Sequence, residues 1–384
     1  MTSRAADVSI VLVHYHTPRL AAAAVAALRR DGMACGLELE LVLVDNGSDR
    51  EGRELLAGLP VELLEPGRNL GYAGGVNLGV SASSAGMIVV MNPDVEVFPG
   101  CLAALAGCLR QGAAAAGPRF YWDRSRRLLL PPAEPRGRGD ELLAWLASRG
   151  ERWAARARRR SRRHCRRHWQ AAGPLRSYAL SGSMLALTRQ AWERVGPFDS
   201  GFQMYFEETD WLRRLERGGL PAWYVPAAVA VHSYGRSAAA EPRAAAWFAA
   251  SAGRFRRLHY GAWFARGLEL LARAAPGAAP RQAAPGAMPR QAALGAPRDA
   301  LGEPVPEEGL DLAGFPVPLW IEVSPNPAGF PAAAEEVTAA GGGGKRWMLP
   351  DDIVPPTATS LAVRLTDGRG RELALFSIRP RAPE

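Results

Sequence analysis

Short apolar runs, broken by Gly, Pro, Asn and Asp, recur through the first hundred positions. Val8 to Tyr15 is β-branched and almost wholly apolar, which suits a strand buried on both faces. Thr17 and Pro18 then open a predicted helix over Arg19 to Arg30. A second buried strand covers Glu40 to Asp45 and ends in the turn cluster Asn46, Gly47, Ser48. Val61 to Leu64 reads as a third strand. Met87 to Met91 reads as a fourth, running into Asn92, Pro93 and Asp94. This alternation predicts a doubly wound α/β sheet. Ligands of such sheets bind beyond the carboxyl ends of the strands, where Asp45 and Asp94 fall. The first strand leads into His14-Tyr15-His16-Thr17-Pro18 without G-x-G-x-x-G, and no P-loop pattern is present, which argues against dinucleotide and P-loop folds.

Two further stretches carry chemistry. Arg68 to Gly79 is glycine-rich ahead of a helix, so its backbone can approach a ligand and the helix can offer free N–H groups to phosphate. An ordinary glycine turn has the same composition. Tyr205 to Arg214 places Glu207, Glu208 and Asp210 in a predicted first helical turn, facing the positive end of the dipole, with Glu207 and Asp210 sharing a face. A solvated helix start with arginines pairing to acids is the plainer account. His232 stands alone after a strand-like run.

Taken in order, Asp45-Asn-Gly-Ser, Asn69-x-Gly-Tyr-x-x-Gly-x-Asn77, Asn92-Pro-Asp94, Gly196-Pro-Phe-Asp199, Tyr205-Phe-Glu-Glu-x-Asp210 and His232-x-x-Gly-x-Ser237 resemble the family 2 inverting glycosyltransferases of GT-A fold, in their rhamnosyltransferase-like branch. The resemblance covers about residues 8 to 265. It implies a nucleotide-sugar donor whose base meets Asp45, with Tyr15, Asn69, Gly71, Asn77, Asn92 and Arg214 around the nucleotide-sugar. It implies a Mg or Mn cation on Asp94 and His232, since hard divalent ions prefer oxygen ligands and bridge diphosphates. Asn92 stands where the motif name has Asp. The acidic pair becomes Glu207-Glu208, and the general base falls on Glu208, with Glu207 and Asp210 as further candidates. The implied reaction is a single displacement with inversion. A rhamnosyl group from dTDP-rhamnose is the branch's suggestion, and a glycan or polyprenyl-diphosphate-linked acceptor follows. Rival readings are a catalytically inactive glycan- or lipid-binding relative and a nucleotidyltransferase.

Charge changes the picture in one region. The chain of 384 residues carries +9, but 16 Arg against 5 Asp and Glu fall between Trp122 and Arg176. The remainder is therefore slightly acidic, and the basicity marks a local surface. Ten arginines between Arg149 and Arg167 read as a solvated helix or, as we prefer, as attraction to anionic lipid head groups. No nucleic-acid reading motif accompanies them. Pro242 to Ala275 mixes aromatics with arginines and reads as an interfacial amphipathic helix or as a helix packed on the core. No signal-peptide pattern, membrane-spanning run or C-x-x-C pair occurs, so the expectation is a reduced, cytoplasmic protein, peripheral on the cytoplasmic face of the inner membrane.

The expected organisation is a GT-A catalytic domain over 1–275, with the basic segment 122–176 inside it, a linker over 276–300 and a β-rich accessory module over 301–384. The linker reading rests on Pro280-Arg-Gln-Ala-Ala, repeated from Pro289. The module rests on alternating runs from Leu319, Ser360 and Glu372, with Asp367-Gly368 as a hairpin turn.

Overall fold

The computed structural model describes residues 6–233, 243–273, 303–306, 308–325, 332–338, 346–353 and 361–378. The expected linker over 276–300 lies outside the described residues, as do Gly235 and Ser237 of the last motif. The chain divides into two compact units: residues 1–120, 170–232 and 246–255 in the first, and 121–169, 233–245 and 256–384 in the second.

In the first unit, β1 (Val8–His14), α1 (Pro18–Cys35), β2 (Leu39–Asp45), α2 (Arg50–Ala57), β3 (Glu62–Leu64), α3 (Gly71–Ala82) and β4 (Met87–Met91) follow the predicted alternation. β1 pairs in parallel with both β2 and β4, and β2 with β3. The buried run Val8–His14 is therefore a central strand, which is why it needs no polar face. β5 (Val95–Val97), α4 (Cys101–Arg110) and β6 (Ala115–Tyr121) come next. Asp31 on α1 accepts from Gly100 and Leu102 amides, capping α4 from a neighbouring helix.

After the second unit's α5 (Arg138–Ala147) and α6 (Glu151–Trp169), the first unit resumes with β7 (Leu175–Arg176), β8 (Met184–Thr188), α7 (Arg189–Val195), α8 (Glu207–Arg217) and β9 (Ala222–His232). The sheet order is β3-β2-β1-β4-β8-β6-β9-β5, with β7 on β9. The expected α/β class, a parallel sheet flanked by helices, is what the structure has. β8 extends the sheet antiparallel to β4, and β5 lies antiparallel to β9. Those additions have ordinary strand composition but lack the βαβ rhythm that marked the first four.

Gly79 on α3 sets how closely that helix lies on the sheet. A Cβ there would come within 2.3 Å of Val11 Cγ1, and Val11 is fully buried. Gly79→Ala is expected to lower stability by about 1–3 kcal/mol through overpacking. Chemical denaturation would show it as a lower midpoint at unchanged slope.

The second unit continues with α9 (Ala244–Tyr260), which also reaches into the first, and α10 (Ala262–Arg273). β10 (Glu303–Pro304), β11 (Leu310–Asp311), β12 (Leu319–Ser324), β13 (Ala333–Val337), β14 (Arg346–Trp347), β15 (Leu361–Asp367) and β16 (Glu372–Ile378) follow. They form a sheet ordered β10-β16-β15-β12-β13 and a β11-β14 pair, so the C-terminal region is β-rich as expected. The β15-β16 turn is wider than a two-residue hairpin. Asp367 Oδ1 accepts from the Arg369 and Arg371 amides, and the left-handed residue is Gly370 rather than Gly368.

Helix α6 packs on this sheet. Arg162 donates to both carboxylate oxygens of Glu322 at 2.6 and 2.8 Å, and both residues are buried. Arg166 donates to Thr366 Oγ1 and the Gly368 carbonyl, and its guanidinium lies over the Trp320 ring. Trp169 stacks on Trp320 with centroids 5.4 Å apart. The basic run is thus partly internal, its guanidiniums held by a carboxylate, carbonyls, a hydroxyl and an aromatic face.

Candidate active site

The carboxyl ends of β1, β2 and β4 deliver the first group of residues. At the end of β1, His14 is fully buried. The Thr17 amide donates to its Nδ1 at 3.1 Å, so the ring's proton sits on Nε2, which meets Ser48 Oγ at 2.7 Å and lies 3.7 Å from Asp45 Oδ1. Burial pushes the imidazole pKa down to about 4, against the pull of Asp45. His14 is therefore neutral at pH 7. Its folded pKa is depressed, so the unfolded chain binds more protons between about pH 6.5 and 4, and stability falls as pH drops through that window. Following the histidine ring protons by NMR should show the His14 ring still neutral at pH 5.

Asp45 closes its own turn, Oδ1 accepting from the Gly47 and Ser48 amides at 3.0 and 2.8 Å. This is the turn-capping role, and it occupies one of two carboxylate oxygens. Tyr15 lies over the same turn: a Cβ on Gly47 would sit 3.7 Å from its ring. Asn46, absent from the sequence-derived candidates, ties β2 to α3. Its amide donates to the Gly71 carbonyl and accepts from the Leu70 amide.

Asn69 Oδ1 accepts from the Gly71 amide at 2.8 Å. Gly71 is left-handed (φ +72°), and a Cβ there would fall 2.7 Å from the Gln203 carbonyl oxygen, so glycine is required by both conformation and space. The adjacent Tyr72 was also passed over, although it stands inside the Asn69-x-Gly-Tyr motif. Its hydroxyl donates to the Gly182 carbonyl at 2.9 Å. Burial pushes its pKa up, and the charges of Glu207, Glu208 and Asp94 push it further. That phenol therefore lies within electrostatic reach of all three acids.

Asn77 is placed elsewhere. Its side chain donates to the Phe198 carbonyl and accepts from the Phe198 amide, holding the 196–199 segment to α3. Arg214 holds the same segment from α8: Nε donates to Asp210 Oδ2 at 2.9 Å, Nη1 to the Val195 carbonyl and Nη2 to the Pro197 carbonyl. Trp211 Nε1 adds a bond to the Gly196 carbonyl. Asp210 is buried and paired with Arg214, which gives it an anchoring role within the helix.

Asn92 follows directly on β4, and its amide donates to the Ser183 carbonyl. Asp94 follows, 5% exposed. Register supplies its neighbour: β5 pairs with the end of β9, Val95 opposite His232. Asp94 Oδ1 lies 3.4 Å from His232 Nε2, with Phe120 against the imidazole. No three His, Cys, Asp or Glu side chains converge in the manner of a metal cage among the described residues. A buried carboxylate beside an imidazole supplies two ligands, so a divalent cation held there would take the rest from outside the protein, as from a diphosphate and water.

Helix α8 begins from strain. Tyr205 (φ +70°) and Phe206 (φ +73°) are consecutive left-handed residues, held by Phe206 packing on Phe248 and Phe255 of α9. No side chain caps the helix, so its first turn is open where Glu207 and Glu208 sit. Glu207 is buried, and its Oε2 has no hydrogen-bond partner among the described residues. Desolvation raises its pKa well above the carboxylate range, and the charge of Glu208 raises it further. Glu208 is half-buried, accepts from Thr209 Oγ1, and packs so closely on Gly182 that a Cβ there would meet its Cγ at 2.8 Å. The pair thus differs in environment: burial favours the neutral form of the inner acid, Glu207, while Glu208 lies nearer solvent.

Residues 9–168 match the family model described as Glycosyl transferase family 2. Over 227 residues, the chain is 31% identical to N-acetylglucosaminyl-diphospho-decaprenol L-rhamnosyltransferase of Mycobacterium tuberculosis, in each of two strains. The match covers 53% of this chain and 69% of the relative. Among solved structures, the mannosyltransferase PcManGT from Pyrobaculum calidifontis, in complex with GDP-Man and Mn2+, aligns at 15% identity with a TM-score of 0.43, over 72% of this chain and 77% of that one.

Proposed function

The chain belongs to glycosyl transferase family 2 and is rhamnosyltransferase-like, and on that premise we propose that it transfers a sugar from a nucleotide-sugar donor to a glycan or polyprenyl-diphosphate-linked acceptor, with inversion, in cell-envelope polysaccharide synthesis. dTDP-rhamnose is the first donor to test, because the curated relative is named an L-rhamnosyltransferase with a decaprenol-linked substrate. The observation that carries the reading is buried Asp94 with His232 Nε2 3.4 Å from its Oδ1, together with the uncapped first turn of α8 that presents Glu207 and Glu208.

In this reading Asp45 and Tyr15 receive the base, and Asn69 with Gly71 shapes the backbone beside the nucleotide. Asp94 and His232 would hold Mg or Mn, whose charge offsets that developing on the departing diphosphate. Glu208 removes the proton of the acceptor hydroxyl as its oxygen attacks the anomeric carbon. The nucleoside diphosphate leaves from the opposite face, so one displacement inverts the centre without a covalent intermediate. Such an acceptor fits a protein working at the cytoplasmic face of the inner membrane, and no described helix is long and apolar enough to cross one.

The test is nucleoside diphosphate release from a panel of dTDP-, UDP- and GDP-sugars, with Mg or Mn and then with EDTA. We expect one donor to turn over, EDTA to abolish release, and Asp94→Ala to lower it by about 10²–10³-fold through lost electrostatic stabilisation. Undiminished release in EDTA or in Asp94→Ala would remove the metal assignment. Failure of every nucleotide sugar to bind would remove the transferase reading itself.

A further inference from the structure

The arginines of α6 are sorted by face. Arg152, Arg156, Arg159, Arg160, Arg163 and Arg167 are all exposed. At about 100° per residue they fall within an arc of about 100°, spread over roughly 22 Å of helix. Arg162 and Arg166 lie outside that arc, toward Cys165 and Trp169, and are buried against the β12-β15 sheet. Of the outer six, only Arg160 has a carboxylate partner among the described residues, Asp140 at 2.8 Å. The fold has used the arginines it needs to hold the helix and left a row of cations facing water. Like charges in a row repel, so such a row is costly unless an extended anionic surface meets it.

The same unit also exposes apolar side chains. On α10, Trp263 is 90% exposed and Leu270 57%, seven residues apart and so on one face, with Arg266 between them. Trp153 on α6 and Leu271 on α10 are also exposed. Arg149 joins the two places, donating to the Leu271 carbonyl while its guanidinium lies over the Trp145 ring. Exposed cations together with protruding Trp and Leu suit the interface of a bilayer, where aromatic rings enter at headgroup depth. A nucleic-acid backbone would use the cations and leave Trp263 and Leu270 in water.

We infer that the outer face of α6, with Trp263 and Leu270 of α10, is a docking surface for an anionic lipid bilayer. This goes beyond the transferase reading and stands without it, because it uses no residue of the candidate active site. The experiment is sedimentation of the full chain with vesicles of phosphatidylcholine alone or with one-quarter phosphatidylglycerol, at 0.15 M salt. Each basic side chain near an anionic leaflet is worth roughly fivefold in partitioning. Binding should therefore require phosphatidylglycerol, and replacing Arg152, Arg156, Arg159, Arg163 and Arg167 together by Gln should lower it at least about a hundredfold. Trp263→Ala should weaken binding by about tenfold and remove a blue shift of Trp fluorescence on vesicles. Both variants should melt as the parent does and release nucleoside diphosphate from soluble donor at the parent rate. Equal partitioning onto neutral vesicles, or anionic-vesicle binding untouched by the five-residue change, would overturn the inference. So would failure on vesicles with retention of a DNA duplex that the five-residue change abolishes, which would assign the face to nucleic acid.

Discussion

Glu208→Gln is expected to lower the transfer rate by about 10²–10⁴-fold, the usual worth of a general base, while donor binding is kept. Glu207→Gln is expected to do something quite different. Burial and the neighbouring charge raise the Glu207 pKa well above its ordinary value and so favour the neutral acid, whose shape the amide keeps. Transfer should survive. Stability should move instead: between the ordinary carboxylate pKa and the raised value of Glu207, the folded chain keeps a proton that the unfolded chain has released. The parent therefore loses stability as pH rises through that window, and Glu207→Gln should not. Melting temperatures from pH 4 to 8, with single-turnover transfer rates, separate the two acids. If Glu207→Gln abolishes transfer and Glu208→Gln spares it, the assignment of base is reversed.

Glu322→Ala is expected to cost about 3–5 kcal/mol, because it strands Arg162 as a buried, uncompensated charge. Arg166 and Arg364 worsen the loss. Arg166 reaches Glu322 through the Thr366 hydroxyl, and Glu322 also attracts the buried guanidinium of Arg364. Arg162→Met should cost less, since Glu322 keeps the Thr366 hydroxyl and faces two other cations. Denaturant unfolding of the two variants tests the asymmetry. Equal and small losses would mean that the pair is open to water.

β1, β2 and β4 were legible because parallel strands in the sheet interior leave continuous apolar runs, as at Val8 and Met87; β3, a short edge strand with Glu62 exposed, shows the pattern only weakly. Asp45, Asp94 and the acidic start of α8 were legible because strand ends and helix starts punctuate sequence. What could not be read was anything decided by pairing across distance. Val95 opposite His232 brings Asp94 to its imidazole, and no local pattern encodes that register. Asn77 looked like a ligand-facing amide, yet both its ends are taken by the Phe198 backbone. The resemblance sets Arg214 at the nucleotide-sugar, and helix spacing alone also allows an acid partner. Arg214 meets Asp210, and its other nitrogens close the 195–197 loop. Tyr72 was hidden by its own motif, where glycine and asparagine drew attention. The arginine run showed its charge but not its partition between faces, because Glu322 lies 160 residues from Arg162.

That separation has a consequence in time. A ribosome adding about 5–20 residues per second delivers Arg162 some 8–30 s before Glu322. Throughout that interval α6 has neither its carboxylate nor the Trp320 ring that Trp169 stacks on. The helix spends its first moments as a basic, tryptophan-bearing segment with nothing to lie against. Completion of the second unit therefore waits for β12 and β15, far along the chain from α6, and a nascent chain stalled before Leu319 would present that uncovered face to every anionic surface within reach, the ribosome's own RNA first.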